Sequence, residues 1–154
     1  MAEVEDTVGS VHVFHGIARD GLERIAEIAS EETHEAGRFI FREGEQGDKL
    51  YLILEGKVRI SRRLEGTGEE ALAVLGPGEA FGEMSLLDEV PRSADAVVHE
   101  TCKVLVLARE AFEDLLFLNK DLAYEILWNV VRLLARRLRD TNEKMTFLSA
   151  TGRF

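Results

Sequence analysis

Phe81-Gly82-Glu83-Met84-Ser85-Leu86-Leu87-Asp88-Glu89-Val90-Pro91-Arg92-Ser93-Ala94-Asp95 is the stretch from which the rest of the chain is read. It opens with Gly and Glu ahead of an apolar turn and closes with Pro, Arg and two small residues. Such an order builds a short helix whose amino end faces an anion, with one arginine folding back over it. Gly82 carries no Cβ, so a ligand can approach its backbone. The turn Glu83–Leu87, with Met84 and Ser85 inside it, offers N–H groups to a phosphate. Arg92 brings a planar donor fork that matches two phosphate oxygens. Ser93 adds a hydroxyl, and Ala94 leaves its N–H unobstructed. Glu83 accepts hydrogen bonds only, which suits a sugar hydroxyl and not the phosphate itself. The same residues allow a plainer arrangement, in which Arg92 pairs with Glu83, Asp88, Glu89 or Asp95.

Outward from this stretch the texture is that of short strands punctuated by glycine. Phe39 and Phe41 alternate after Gly37. Leu50–Leu54 is a buried run, followed by Gly56, Val58 and Ile60. Leu72–Leu75 stops at Gly76-Pro77-Gly78, and Ala96–Val98 and Val104–Leu107 follow. Six to eight short strands with glycine turns predict a jelly roll or small barrel. Ahead of them, residues 1–10 read as a frayed terminus. From Val11 to Ala29 the spacing of Phe14, Ile17, Leu22, Ile25 and Ile28 is helical, with Asp20 placed as a cap. Behind them, Lys120 to Leu148 contains neither Gly nor Pro and reads as one long helix.

That helix bears a seam. Leu127, Val131, Leu134, Leu138, Thr141, Met145 and Leu148 alternate by four and three residues, which predicts a parallel helix pair and a homodimer. Arg132, Arg136 and Arg139 form a solvated face beside it. Thr141 is the polar member of the seam, where a hydroxyl fixes register or touches something polar.

The 154 residues hold one domain with an appendage: a flexible 1–10, a β-roll with its leading helices over 11–120, and a helix and tail over 121–154. With 45% hydrophobic residues, the chain can bury a sizeable core. A net charge of -10 argues against nucleic acid or anionic lipid as a partner. No apolar run is long enough to span a membrane, and the acidic Glu3, Glu5 and Asp6 are unlike a targeting peptide. The single cysteine, Cys102, excludes an internal disulfide, suits a cytoplasmic setting and reads as an apolar filler.

The stretch resembles the phosphate-binding cassette of the cyclic nucleotide-binding domain family, in Phe-Gly-Glu, two leucines, and Pro-Arg-Ser-Ala after a short gap. Gly37, Phe39-Ile40-Phe41-Arg42-Glu43-Gly44-Glu45, Gly47-Asp48, Leu50-Tyr51 and Gly56 are similar to the family's earlier strands and turns. Ala135-Arg136-Arg137-Leu138 and Thr141-Asn142-Glu143-Lys144 resemble the dimerisation helix of its catabolite-activator members. The resemblance covers about residues 11–153. It implies a fold that is mainly β with flanking α: a double-stranded β-helix (a jelly roll, or cupin-like β-roll) with N-terminal helices and a long C-terminal dimerisation helix. It implies that Glu83 binds the ribose 2′-OH, that Gly82 donates nearby, and that Arg92 holds the cyclic phosphate with Ser93 and Ala94 in support. It also implies that Thr141 meets the base, that Asn142 stands where a partner subunit reaches across, and that Arg137 braces Glu83.

The expected function is a bacterial, non-enzymatic sensor with no cofactor and no metal. Its regulatory ligand is cyclic AMP or cyclic GMP, with Thr141 favouring cyclic AMP. Since no recognition helix or basic patch follows residue 148, a freestanding receptor acting on an effector protein is expected, without nucleic acid or membrane. Three alternatives stand beside it. One is a ligand-independent dimeric module, and another is a fragment of a transcription factor. The third is a metal enzyme of cupin type, against which the scattered His12, His15, His34 and His99 argue.

Overall fold

Two long antiparallel strands carry the architecture of the computed structural model, which describes residues 2–66, 68–82 and 88–151. β3 (Lys49–Leu64) and β6 (Asp95–Ala108) pair from Lys49 opposite Ala108 to Ser61 opposite Asp95. Each is long enough to meet different neighbours along its length. β6 also pairs with β1 (Ser30–His34) and β2 (Phe39–Phe41), and β3 with β4 (Gly68–Leu75) and β5 (Ala80–Phe81). Every pairing is antiparallel, and the sheet has six strands. The observed fold is a mainly β roll with flanking helices, as the sequence predicts.

Over Leu50–Leu54 of β3 and Val104–Leu107 of β6 both faces are apolar, which is why these segments read as continuous hydrophobic runs. Leu50, Leu52, Leu105 and Leu107 turn toward the helices, where they meet Phe14, Ile25, Phe112, Leu122 and Ile126. The intervening Tyr51, Ile53, Val104 and Val106 turn into the roll and pack with Val58, Phe81, Ala96, Val98 and Cys102. Fully burying one such side chain stabilises by about 1.5–3 kcal/mol. Cys102 is buried as expected, and its burial pushes the thiol up from its ordinary range.

The helices depart from expectation at the amino end. Residues 2–9 are not frayed but form α1 (Ala2–Gly9), because Val8 is buried in the helix-side core and Arg19 bridges Glu5 and Asp6, each at 3.0 Å. The predicted helix from Val11 to Ala29 is divided into a 3-10 turn (His12–Phe14) and α2 (Arg19–Ile28), with extended backbone at His15 and Ala18 between them. The apolar spacing already breaks there, with five residues from Ile17 to Leu22. Asp20 is not the cap. Ala18 holds that position without a side-chain bond, and Asp20 lies in the first turn, where the helix dipole favours a carboxylate.

α3 (Arg109–Leu118), which the sequence reading passes over, docks Phe112 under α4 (Lys120–Thr151). α4 has two apolar stripes. Leu122, Ile126, Val130 and Leu133 are buried against the molecule's own core, and Asn129 Nδ2 ties the helix to Val13 O and His15 O. The predicted seam is the other stripe: Leu127, Val131, Leu134, Leu138 and Met145 are all exposed, from 44% at Leu134 to 62% at Leu138. No helix among the described residues is long and apolar enough to cross a membrane.

Candidate functional site

A cavity of about 490 Å³ opens beside β5, lined among others by Phe41, Phe81, Gly82, Val90, Arg92 and Ser93. Ala94, itself buried, completes the wall at the start of β6. Four predicted site residues, Gly82, Arg92, Ser93 and Ala94, thus meet at one cavity. Glu83, Met84 and Ser85 lie outside the described residues.

Two main-chain bonds fix Arg92: Gly44 N donates to Arg92 O, and Arg92 N to Glu45 O, each at 2.8 Å. They staple the far end of the cassette to the turn that follows β2. Asp95 strengthens the staple by accepting from Glu43 N at 2.7 Å. The Arg92 side chain is held as tightly. Nη2 donates to Lys49 O at 3.0 Å, Nη1 to Gly82 O at 3.4 Å, and Cζ sits over the Phe41 ring, 4.0 Å from its centroid. Gly82 has φ +78°, and a Cβ there would fall 2.7 Å from Arg92 Nη1. The missing side chain is therefore what admits the guanidinium, as well as what opens the backbone.

Three of the acids around the cassette have engagements of their own. Asp95 holds the Glu43 amide, Asp88 Oδ1 accepts from Glu89 N at 2.7 Å, and Glu89 faces Arg109 at 3.7 Å. Arg92 is only 8% exposed. Burial pushes its guanidinium down from the usual arginine range, while Tyr51, Asp48 and Glu45 pull it back up. Burial also raises the Tyr51 phenol, which Arg92 opposes. A guanidinium stays protonated through such shifts. A guanidinium at a cavity wall offers a planar donor fork that suits an anion.

The predicted contacts from the long helix lie apart from this cavity. Arg137 lines a separate space of about 230 Å³ with Ser10, His12, Glu79 and Leu133, and Leu75 and Ala80 form the partition that both cavities share. Thr141 and Asn142 are exposed and line neither. α4's buried stripe ends at Leu133, and the helix is exposed from Leu134 to Phe147. Phe41 and Phe81 also line the cavity, a place that the sequence alone does not give them. Their signal was the aromatic alternation of β2 and the aromatic that opens the cassette.

The chain matches the family described as "Cyclic nucleotide-binding domain" over residues 31–119. It is 43% identical over 137 residues to the Cyclic AMP receptor protein of Thermus thermophilus, covering 89% of this chain and 62% of that relative. A cGMP-dependent protein kinase of Caenorhabditis elegans is 34% identical over 117 residues, covering 72% of this chain and 15% of the kinase. The chain thus spans less than two thirds of each of these relatives. The crystal structure of the N-terminal domain of a transcriptional regulator from Streptomyces coelicolor superposes with a TM-score of 0.81 at 34% identity, covering 91% of this chain and 95% of that domain.

Proposed function

We propose, since the chain belongs to the cyclic nucleotide-binding domain family, that it is a non-catalytic cytoplasmic receptor which binds a cyclic nucleotide in the cavity at Arg92 and signals to a partner protein through α4. The observation that carries this reading is the guanidinium itself. It is buried at the wall of the cavity, held by two carbonyls and a ring, beside a Cβ-free Gly82. With an overall charge of -10 the chain repels anions at long range, so recognition has to be local. Cyclic AMP is the favoured ligand. The identity to a cyclic AMP receptor supports it, and so does Thr141 as an adenine contact, with Asn142 and Arg137 beside it on α4.

Because Arg137, Thr141 and Asn142 do not line the cavity at Arg92, those contacts form only when the helix, or the helix of a second copy, closes over it. Nucleotide binding then favours one arrangement of α4 over another, which is the requirement for a switch. The exposed stripe Leu127, Val131, Leu134, Leu138 and Met145 is the surface through which two copies pair, because α4 already satisfies its own core with a different stripe.

Isothermal titration with cyclic AMP and cyclic GMP tests the ligand. Saturable binding of one nucleotide per chain, tighter for cyclic AMP, is expected, and an absence of heat with both at millimolar concentration would reject the receptor reading. Sedimentation velocity tests the pairing. The wild type is expected as a dimer at micromolar concentration, and Leu138→Glu, which sets two carboxylates against each other in the seam, as a monomer. A wild type that sediments as a monomer removes the dimer.

A further inference from the structure

We propose that Phe41 is a positioning residue of the anion site: its ring carries the Arg92 guanidinium and sets the orientation in which that group meets a phosphate. The inference rests on the receptor reading and gives the site a part that comes from β2, outside the cassette. Arg92 Cζ lies 4.0 Å from the Phe41 centroid, within the range of a strong cation–π contact, and 5.9 Å from that of Tyr51. The guanidinium edge is pinned by Lys49 O and Gly82 O, at 3.0 and 3.4 Å. A ring under the face and two carbonyls at the edge leave a planar cation little freedom to turn.

The ring is itself fixed. Its centroid is 6.0 Å from that of Tyr51 and 5.9 Å from that of Phe81, and these two stack at 5.1 Å with 9° between their planes. Three rings from β2, β3 and β5 thereby form one platform, and Phe41 stands across the ladder from the small Ala96. Aromatic side chains have few rotatable bonds, so the platform orders the arginine at small entropic cost. An aromatic face also holds a cation without neutralising it. A carboxylate in the same place would compete with the ligand for the guanidinium.

The test uses the full chain and cyclic AMP as the titrant. Phe41→Leu and Phe41→Met keep apolar bulk and remove the π face, and each is expected to weaken binding about tenfold. Phe41→Tyr keeps the face and is expected to bind within about threefold of the wild type. A role limited to filling space would rank the methionine variant with the tyrosine one. In the nucleotide-free protein, NMR of the Arg92 side chain is expected to show a ring-current shift in the wild type and in Phe41→Tyr that Phe41→Leu loses. That readout does not depend on ligand. Wild-type protein that binds neither cyclic AMP nor cyclic GMP overturns the receptor reading together with this inference. Wild-type binding with Phe41→Leu within twofold of it, Phe41→Met as tight as Phe41→Tyr, or an Arg92 shift unchanged in Phe41→Leu overturns the inference alone.

Discussion

Arg92→Leu is expected to weaken cyclic AMP binding by about 100- to 1,000-fold, a loss of about 3–4 kcal/mol, as truncating one partner of a buried charge pair does. Leucine removes the planar donor fork and leaves a phosphate to enter a pocket without a cation. The fold should survive, because two effects on it oppose each other. Lys49 O and Gly82 O lose a donor, which costs about 1–3 kcal/mol, while a cation that was only 8% exposed no longer has to be desolvated. Their near cancellation predicts a melting temperature within a few degrees of the wild type. Arg92→Lys should fall between the two in affinity, since it keeps a charge and loses the fork and the broad contact with Phe41. Calorimetry on the three proteins decides the matter. Undiminished affinity in Arg92→Leu would take this residue out of the site and leave the cavity without its anion-binding group.

That Gly82, Arg92, Ser93 and Ala94 share one cavity wall was legible in the sequence, because these residues stand close together along the chain. What holds Arg92 was not legible. Phe41 and Lys49 O come from β2 and β3, and only the closing of the roll brings them under the guanidinium. The same distinction separates the elements. In sequence β6 reads as two short strands because His99, Glu100 and Thr101 interrupt its apolar residues, yet it runs unbroken, its exposed middle turned to solvent. β1, with the sequence Ser-Glu-Glu-Thr-His, has no apolar pattern. It exists because an outer strand needs backbone partners more than buried side chains, and β6 supplies them. α1 is held by Val8 and by ion pairs to Arg19, both non-local and invisible in an acidic terminus. In α4 the rhythm of fours and threes exposed the outward stripe. The inward stripe, offset by one residue, was hidden beneath it until the roll gave it something to cover.

Gly56→Ala is expected to be the most damaging single methyl group that can be added to this chain. In the sequence Gly56 reads as a turn between two strands, but β3 passes straight through it. The pairing with β6 shifts register on both sides, between Ile53 and Glu55 and again between Glu55 and Lys57 and between Lys57 and Val58. A glycine inside a strand marks a bulge or a close backbone approach, and here it marks both. Its φ is +87°, which for a residue with a Cβ costs roughly 1–2 kcal/mol. The added Cβ would also lie 2.7 Å from Cys102 Cα and closer still to the Thr101 carbonyl oxygen. Those are backbone atoms of the neighbouring central strand, so no side-chain rotation relieves the contact. β3 and β6 would have to separate where Val58, Val98, Cys102 and Val104 close the interior of the roll. Strain and lost packing together amount to about 4–5 kcal/mol, at the upper end for one substitution and a large part of a typical stability of about 5–15 kcal/mol. At about 2–4 °C per kcal/mol, thermal denaturation should show a melting temperature lower by about 10–20 °C. Because Gly56 lies outside the cavity wall, the fraction that remains folded in the cold should still bind cyclic AMP with wild-type affinity. A melting temperature within about 3 °C of the wild type would mean that β3 and β6 part more easily than two fully buried faces allow.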